Sequence, residues 1–326
     1  MKKEFLNTFK TFFTATKIFF ITIFVFFIAT LVIIVKNQFN QKKNYPTKPI
    51  SKITAVSFLP PRQKRVRVQL FVMSFCPYAN QVETSLALVY PLLKDYLDFE
   101  PHYIIEKQNQ AIVEALCQEK IYDEERCRRY INQGYFPNLE ACRQRFYPNL
   151  QVCLAKESVD CLVTPAKSYY CSQHGRGELN QDIRETCAWE LAQDKEKWWE
   201  FIGQINRHCS ADNIDSCWQN QAQALGLDQE AIQNCFNRKA IKIAEENFRL
   251  SQRLNITASP TLIINDQIYP PTTKEKVKIG DQVFEVSELY SPEAIKTAIC
   301  LGLESKPTAC QTKLTRQTET NTGSCR

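Results

Sequence analysis

The sequence is poor in the residues that build several common functional sites. Its 326 residues include only 8 glycines, and neither a GxGxxG fingerprint nor a phosphate-binding P-loop is present. No two cysteines are closer than eight residues, so the CxxC pairs of zinc ribbons, zinc knuckles and redox dithiols are all absent. The net charge of +6 is mild, and Arg62–Arg67 is the one short basic stretch. The composition therefore gives no support for a nucleic-acid partner or for a nucleotide cofactor.

Cysteine is the residue that is abundant. The chain has 14 cysteines, and they are dispersed over residues 76–325. Many dispersed cysteines in a chain of this size predict disulfides and therefore an oxidising compartment.

The N-terminus contains the longest apolar stretch. Ile18–Val35 is 18 residues long and has no charged side chain, which is nearly enough to cross a bilayer as a helix. The alternatives are a cleaved signal peptide and a buried globular helix, but no small-residue cleavage site follows Val35. We predict a cytoplasmic stub and transmembrane signal anchor over 1–35. Because disulfides need an oxidising environment, we expect a single-pass membrane protein whose residues 36–326 are extracytoplasmic, in a periplasm, a secretory lumen or the cell exterior.

A β-α-β unit follows a polar segment. Residues 36–64 are rich in proline and lack periodicity, which predicts a linker. Arg65–Phe75 alternates and then becomes apolar, as a buried strand does. Pro77–Tyr96 has the apolar spacing of an amphipathic helix, and Phe99–Ile105 reads as a second strand.

The rest of the domain, which we place at 65–310, is predicted to be mostly helical. Residues 106–256 contain helix-forming segments with almost no strand pattern. Thr261–Asn265 then predicts a strand, and Ser291 caps a final helix that begins with proline. Residues 311–326 are polar and are predicted to be disordered.

Cys76 stands where the first strand opens into the helix. A thiol at a helix N-terminus lies near unpaired backbone N–H groups, which favour the thiolate and make it a better leaving group. Pro77 suits the first helical turn because its missing N–H is not needed there. We therefore predict Cys76 as the catalytic residue; the alternative is a buried structural cysteine.

Cys76-Pro77-Tyr78 and the later Ser259-Pro260-Thr261 together resemble the thioredoxin superfamily. The resemblance implies a thioredoxin-like α/β fold built from 65–105 and 257–302. It also implies that Pro260 is cis and lies against the active-site sulfur, and that Pro77, Tyr78, Ser259, Pro260 and Thr261 bind the substrate.

The large insertion between the two halves resembles that of DsbA-like oxidoreductases. Within it, the segment from Cys171 to Cys187 is similar to the signature of the gamma-interferon-inducible lysosomal thiol reductases; the residues in register are Gln173, His174, Gly175, Glu178 and Cys187. Leu179 and Asp182 depart from that signature. The predicted fold class is thus α/β: a thioredoxin-like fold with a large Cys-rich all-helical insertion and an N-terminal transmembrane helix.

Ala79 stands where dithiol members of the superfamily have their second cysteine. We therefore predict a membrane-anchored thiol-disulfide oxidoreductase or isomerase that acts on proteins through Cys76 alone. The mixed disulfide would be released by the substrate's own thiol, a small thiol, a redox partner protein or a distant cysteine of this chain. The alternative is a redox-inactive, disulfide-stabilised domain that binds polypeptides in the manner of a chaperone.

Two further predictions concern single residues. His174 is a candidate modulator of the thiol, since histidine titrates near neutral pH, although it reads equally well as part of a turn. Cys300 and Cys310 bracket the end of the last helix and are the predicted disulfide pair. No metal site and no organic cofactor is expected, and the partners are protein thiols or disulfides together with the membrane.

Overall fold

The computed structural model describes residues 56–270 and 276–315. Ten strands lie in these residues: β1 Val56–Phe58, β2 Val66–Val72, β3 Leu97–Tyr103, β4 Glu106–Asn109, β5 Leu162–Val163, β6 Ser168–Cys171, β7 Thr261–Ile264, β8 Gln267–Tyr269, β9 Val277–Ile279 and β10 Gln282–Phe284. Ten α-helices accompany them: α1 Pro77–Leu93, α2 Gln110–Lys120, α3 Glu124–Asn132, α4 Leu139–Arg143, α5 Leu150–Asp160, α6 Arg176–Leu191, α7 Lys195–His208, α8 Ile214–Ala224, α9 Gln229–Arg253 and α10 Pro292–Leu301.

The main sheet has the strand order β3-β2-β7-β8. β2 runs parallel to β3, whereas β7 is antiparallel to both β2 and β8. The apolar run that predicts a central strand is buried on both faces, because every residue of β2 except Arg67 is shielded from solvent. The register pairs Phe71 with Thr261, which brings the end of β2 beside the start of β7 although 190 residues separate them.

Helices α1 and α10 pack on this sheet through their apolar faces. In α1 the buried apolar side chains recur at helical spacing, and they are Ala79, Val82, Leu86, Val89 and Leu93. In α10 the Ser291 hydroxyl accepts a hydrogen bond from the N–H of Ala294 at 3.3 Å, and proline fills the first helical position. Both helices begin where the sequence predicts.

The folded region begins earlier than the predicted start at 65. β1 pairs in parallel with β9, which pairs in turn with β10, and Gln63 forms a bridge with Leu303. Part of the predicted linker 36–64 is therefore an edge strand. The sequence does not indicate this strand, because three residues that pair with a distant hairpin are too few to show a periodic pattern. At the other end, Leu314 donates its N–H to Glu293 Oε2 at 2.9 Å. The start of the predicted disordered tail is thus packed on α10, and residues 316–326 lie outside the described residues.

The insertion is not all helical, which corrects the predicted fold class. It contains helices α2–α9, but β4, β6 and β5 form a small antiparallel sheet within it. β6 carries two buried tyrosines, Tyr169 and Tyr170. Its partner β4 has the sequence EKQN, which has no apolar alternation, so only its pairing with β6 makes it a strand.

The transmembrane helix of the predicted fold class is also corrected. Among the described residues, no helix is long and apolar enough to cross a membrane. The longest of them, α9, has 25 residues but is interrupted by charged side chains throughout. The segment Ile18–Val35, to which the prediction applied, lies outside the described residues.

Six disulfides staple the described part of the chain. They join Cys117 to Cys153, Cys127 to Cys142, Cys161 to Cys171, Cys187 to Cys235, Cys209 to Cys217 and Cys300 to Cys310. The last is the pair that the sequence predicts. Five bridges lie within the insertion, where they stabilise short helices that bury too little apolar surface to be stable by themselves.

A recurrent local device places several of these cysteines. Asp123, Asn138 and Asn149 each cap a helix by accepting a backbone N–H three residues on, at 2.6 to 3.0 Å. In each helix a cysteine follows the cap by four residues and is buried. The cap fixes where the helix begins and so turns the cysteine inward.

Candidate active site

Cys76 lies at the junction of β2 and α1. It is the N-cap residue of α1, with an extended backbone, and Pro77 occupies the first helical position. Its N–H donates to Met73 O at 3.0 Å, and its carbonyl accepts from Asn80 N at 3.1 Å. Cys76 is the one described cysteine outside the disulfides, and it is 5% exposed. The strand, the tight turn and the helix start thus present a single free thiol at the positive end of a helix.

The loop before β7 meets this thiol. The Ser259–Pro260 peptide is cis. The Cys76 thiol lies 3.6 Å from the carbonyl oxygen of Ser259, to which it donates a hydrogen bond. The Ser259 hydroxyl accepts the N–H of Met73 at 3.0 Å, so the two loops are joined on both sides of the sulfur.

The remaining predicted residues differ in their exposure. Pro77 is half-buried, and Tyr78 is 66% exposed and free to meet a partner. Thr261 begins β7, and its hydroxyl donates to Ala258 O at 2.6 Å. Ala79 is fully buried in the first turn of α1. The structure therefore brings Cys76 against the Ser259–Pro260 loop and leaves Tyr78 exposed to solvent.

His174 reaches the thiol loop indirectly. Its Nδ1 lies 2.7 Å from Glu178 Oε1, and the same oxygen accepts the N–H of Phe75 at 3.0 Å. No hydrogen bond joins His174 to Cys76 among the described residues. The imidazole is therefore linked to the thiol through Glu178 and the backbone of Phe75.

Sequence reasoning missed the carboxyl groups that surround this loop. Glu178 is one residue of the signature that resembles the lysosomal thiol reductases, but that resemblance assigns it no role at the thiol. Asp182 Oδ1 accepts the N–H of Ser74 at 3.0 Å and lies 2.6 Å from the Ser74 hydroxyl oxygen, which also lies 3.1 Å from Glu185 Oε2. The spacing of the three acids puts them on one face of α6, but an acidic stripe on a helix is ordinarily solvated, so no local pattern indicates their burial.

Burial dominates the electrostatics of this cluster. Burial, followed by the negative charge of Glu178, raises the pKa of Asp182 well above its usual range. Burial raises the pKa of Glu185 to about 7, although hydrogen bonds from Gln181, Tyr103 and Ser74 oppose the shift. Burial and the charge of Glu185 raise the pKa of Glu83, on α1, to about 8. The buried carboxyl groups of Glu185 and Glu83 therefore titrate close to neutral pH.

One group of potential metal ligands occurs among the described residues. Sulfur atoms of Cys117 and Cys153 lie close to a carboxylate oxygen of Glu157. The two sulfurs are bonded to each other, however, and disulfide sulfur is not the thiolate that binds zinc. This group therefore gives no reason to propose a metal.

Comparison with known proteins bears on the fold. The family model of the vacuolar sorting receptor thioredoxin-like domain matches residues 139–277. The match is less than half of the chain; it includes α6 and the Ser259–Pro260 loop but not Cys76. Together with the β-α-β unit, the order of the main sheet and the cis-proline beside a helix-start cysteine, it decides the fold. The chain has a thioredoxin-like fold.

A curated relative covers a similar part of this thioredoxin-like chain. Vacuolar-sorting receptor 1 of Pisum sativum is 24% identical over 183 residues, which are 51% of this chain and 27% of the receptor. The chain thus matches about a quarter of the receptor's length.

Solved structures with similar architecture include three disulfide-exchange proteins. Oxidised BdbD from Bacillus subtilis has 13% identity and a TM-score of 0.34, with 66% of this chain and 89% of that chain covered. Alpha-DsbA2 from Wolbachia pipientis has 13% identity and a TM-score of 0.34, with coverages of 72% and 87%. Reduced DsbG from Mycobacterium tuberculosis has 13% identity and a TM-score of 0.36, with coverages of 79% and 91%. Likeness at this level says nothing about substrate or reaction.

Proposed function

We propose that this protein is a thiol-disulfide oxidoreductase, and more finely that it exchanges disulfides of protein substrates through Cys76 alone. The observation that carries the proposal is the free Cys76 thiol at the start of α1, 3.6 Å from the cis-proline loop. A scaffold would not need an unpaired cysteine there, since the twelve other described cysteines are all bonded. The position favours attack on sulfur, because the helix N-terminus stabilises negative charge.

The proposed exchange needs no external electrons. The Cys76 thiolate attacks one sulfur of a substrate disulfide, a new S–S bond forms, and the second substrate sulfur leaves as a thiolate. That thiolate, or another one in the substrate, then attacks the mixed disulfide and releases Cys76. The cycle rearranges substrate disulfides, so isomerisation is the reaction that a single thiol supports most directly. Net reduction requires a small thiol or a redox partner protein, which would release Cys76 in place of the substrate.

The absence of a second thiol distinguishes this site from a dithiol enzyme. Ala79 follows Cys76 by one turn of α1 and has no sulfur. Every other described cysteine is committed to a disulfide, and Cys325 lies outside the described residues. The proposal therefore assigns release to the substrate or to a small thiol, and not to the described insertion.

The surroundings of Cys76 support a polypeptide substrate. Tyr78 is exposed beside the thiol, and the backbone of Ser259 faces it. We assign Pro77, Tyr78, Ser259, Pro260 and Thr261 to substrate binding, because backbone groups next to a cis-proline recognise an extended chain whatever its side chains. The six disulfides support an oxidising, extracytoplasmic location.

The decisive experiment compares the wild-type protein with Cys76→Ser. Each is incubated with glutathione disulfide and with a scrambled disulfide protein, then quenched with acid and analysed by mass spectrometry. We expect adducts at Cys76 in the wild type, none in Cys76→Ser, and rearrangement of the scrambled protein by the wild type only. A wild-type protein that forms no adduct with either disulfide would rule out the enzyme.

A redox-inactive polypeptide-binding module is the second candidate. Ala79 favours it, because loss of the local second thiol is what a binding domain derived from a dithiol enzyme would show. This candidate predicts that Cys76→Ser binds unfolded chains as well as the wild type does, and that neither protein forms adducts. The same mass spectra therefore separate the two functions.

A further inference from the structure

Helix α6 of the insertion reaches into the turn that precedes Cys76. The side chains of Glu178 and Asp182 are one helical turn apart and fully buried. Asp182 accepts the N–H of Ser74, and Glu178 accepts the N–H of Phe75. The opposite side of the same turn is held by the cis-proline loop, since Met73 donates its N–H to the Ser259 hydroxyl. The turn that aims the thiol is thus clamped between the insertion and the loop before β7.

Glu178 occupies a position that only an acceptor can fill. Its Oε1 accepts the N–H of Phe75, and its Oε2 accepts the N–H of His174 at 3.0 Å. A backbone N–H can only donate, so both oxygens face fixed donors. A glutamine here would turn its NH₂ group toward one of them and leave a buried donor opposed by another donor. The need for two acceptors explains why a carboxylate follows the Gln-His-Gly turn.

Ser172 connects this carboxylate to Asp182. Its hydroxyl oxygen lies 2.7 Å from Glu178 Oε2 and 3.2 Å from Asp182 Oδ2. The hydroxyl has a single proton, so it donates to one carboxyl group and accepts from the other. Donation to Glu178 leaves it to accept a proton that Asp182 Oδ2 carries. The pair then holds one proton and one negative charge, as coupled carboxyl groups do.

We propose that Glu178 and Asp182 are positioning residues for the exchange reaction of Cys76, acting as an ionised and a protonated carboxyl group bridged by Ser172. The inference rests on the proposed function and adds the role of the insertion to it. The pair holds the backbone of Ser74 and Phe75 and so fixes the direction in which the thiol points. The insertion thereby affects the reaction by holding the turn that precedes the thiol.

The pair is surrounded mainly by acidic groups. The titratable groups that face it are Glu185 from α6, Glu83 from α1, Tyr103 from β3 and His174 from the turn before α6. In the described part of the chain, no lysine or arginine bonds to the carboxyl groups of the pair or to those of Glu185 and Glu83. Burial and the negative charge of Glu178 raise the pKa of Asp182, so the hold on the turn depends on pH through Asp182.

Two isosteric variants test the assignment of the proton. Glu178→Gln places a donor against a donor, whereas Asp182→Asn mimics the protonated carboxyl group, with its oxygen toward Ser74 and its NH₂ toward Ser172. The exposed Glu190→Gln on the same helix is the matched control. The rate of mixed-disulfide formation between the full chain and glutathione disulfide is measured from about pH 5 to about pH 8.

The three variants have different expected rates. Glu178→Gln should react at least about tenfold more slowly than the wild type, as expected for a lost charge-assisted hydrogen bond. Asp182→Asn should be only a few-fold slower than the wild type and show a flatter pH profile, and Glu190→Gln should match the wild type. If Glu178→Gln does not fold by near-ultraviolet circular dichroism, Ser172→Ala replaces it. That variant loses only the bridging hydroxyl and should be several-fold slower, with a flattened profile.

The outcomes separate this inference from the proposed function. A wild type and Glu190→Gln that both react, with Glu178→Gln and Ser172→Ala reacting equally fast, would overturn the positioning role alone. An Asp182→Asn variant as slow as Glu178→Gln would overturn the assigned proton. A wild type that forms no adduct would overturn the proposed function and this inference together.

Discussion

At residue scale, the site depends on a thiol and on the missing partner one turn away. Cys76 is the N-cap of α1, and Ala79 is buried in the turn that follows it. Residues three apart lie on one helix face, within the Cα separation of roughly 4.4 to 6.8 Å that a disulfide spans. The chain therefore has the geometry of a dithiol site but only one of its sulfurs.

Substitution of Ala79 by cysteine should restore that pair. We expect Ala79→Cys to form a bond to Cys76 on mild oxidation and to lose it on reduction. Ala87→Cys is the control, because it lies eleven residues from Cys76, about 16 Å along the helix axis, and cannot bridge. Alkylation followed by mass spectrometry counts the free thiols in each variant. Failure of Ala79→Cys to bridge would contradict the placement of Cys76 at the helix start.

At element scale, α6 is the part of the insertion that matters most for the site. Its buried acids contact the turn before Cys76, and Trp198 of α7 donates to its Glu185 carbonyl at 2.9 Å. The Cys187–Cys235 disulfide fastens it to α9. A shift of α6 would therefore displace the turn that precedes Cys76.

The bridge between α6 and α9 should therefore contribute more than a short local one. Cys187 and Cys235 are 48 residues apart and buried, whereas Cys209 and Cys217 are 8 apart and half-buried. Chain entropy alone gives about 4 kcal/mol for the longer loop and about 2.5 kcal/mol for the shorter one. We expect the double variant Cys187→Ala/Cys235→Ala to have a clearly lower urea midpoint than Cys209→Ala/Cys217→Ala. Equal midpoints would show that α6 is held by its other contacts.

At the scale of the whole molecule, the buried acids link stability to pH. Glu83, with a pKa raised to about 8 by burial and by the charge of Glu185, binds its proton more tightly in the folded chain than in the unfolded one. The folded state then holds more protons between about pH 4.5 and about pH 8, so the stability that the group contributes falls as pH rises through this window. Burial lowers the pKa of His102, which acts in the opposite direction below its ordinary value of 6.5.

Neutralising Glu83 should flatten this dependence. The free energy of unfolding, measured in urea at several pH values, should decrease for the wild type by up to about 1.4 kcal/mol per pH unit for each such group. Glu83→Gln should show a shallower slope, and the exposed Glu200→Gln the wild-type slope. A Glu83→Gln profile parallel to the wild type would mean that this carboxyl group ionises at the same pH in both states.

Local patterns in the sequence predict a large part of the fold. The apolar run before Cys76 and the apolar spacing after it identify β2 and α1, because those signals depend on neighbours within one or two turns. The same holds for α10, whose cap and proline stand side by side. The small sheet of the insertion was not predicted because β4 has no apolar pattern. The strand β1 was not predicted because three residues are too few to show a periodic pattern.

The sequence by itself determined the position of the thiol at a helix start and identified the loop that faces it. Cys76, Pro77 and Ser259-Pro260-Thr261 are recognisable because each is a short contiguous motif whose residue types restrict the backbone. Only the tertiary structure decided how the ten cysteines of the insertion pair and which acids hold the turn before Cys76. The contacts of Ser74 with Asp182 and of Phe75 with Glu178 join residues more than a hundred positions apart. Such contacts leave no local trace, since the burial that gives a carboxyl group its role comes from every element packed around it.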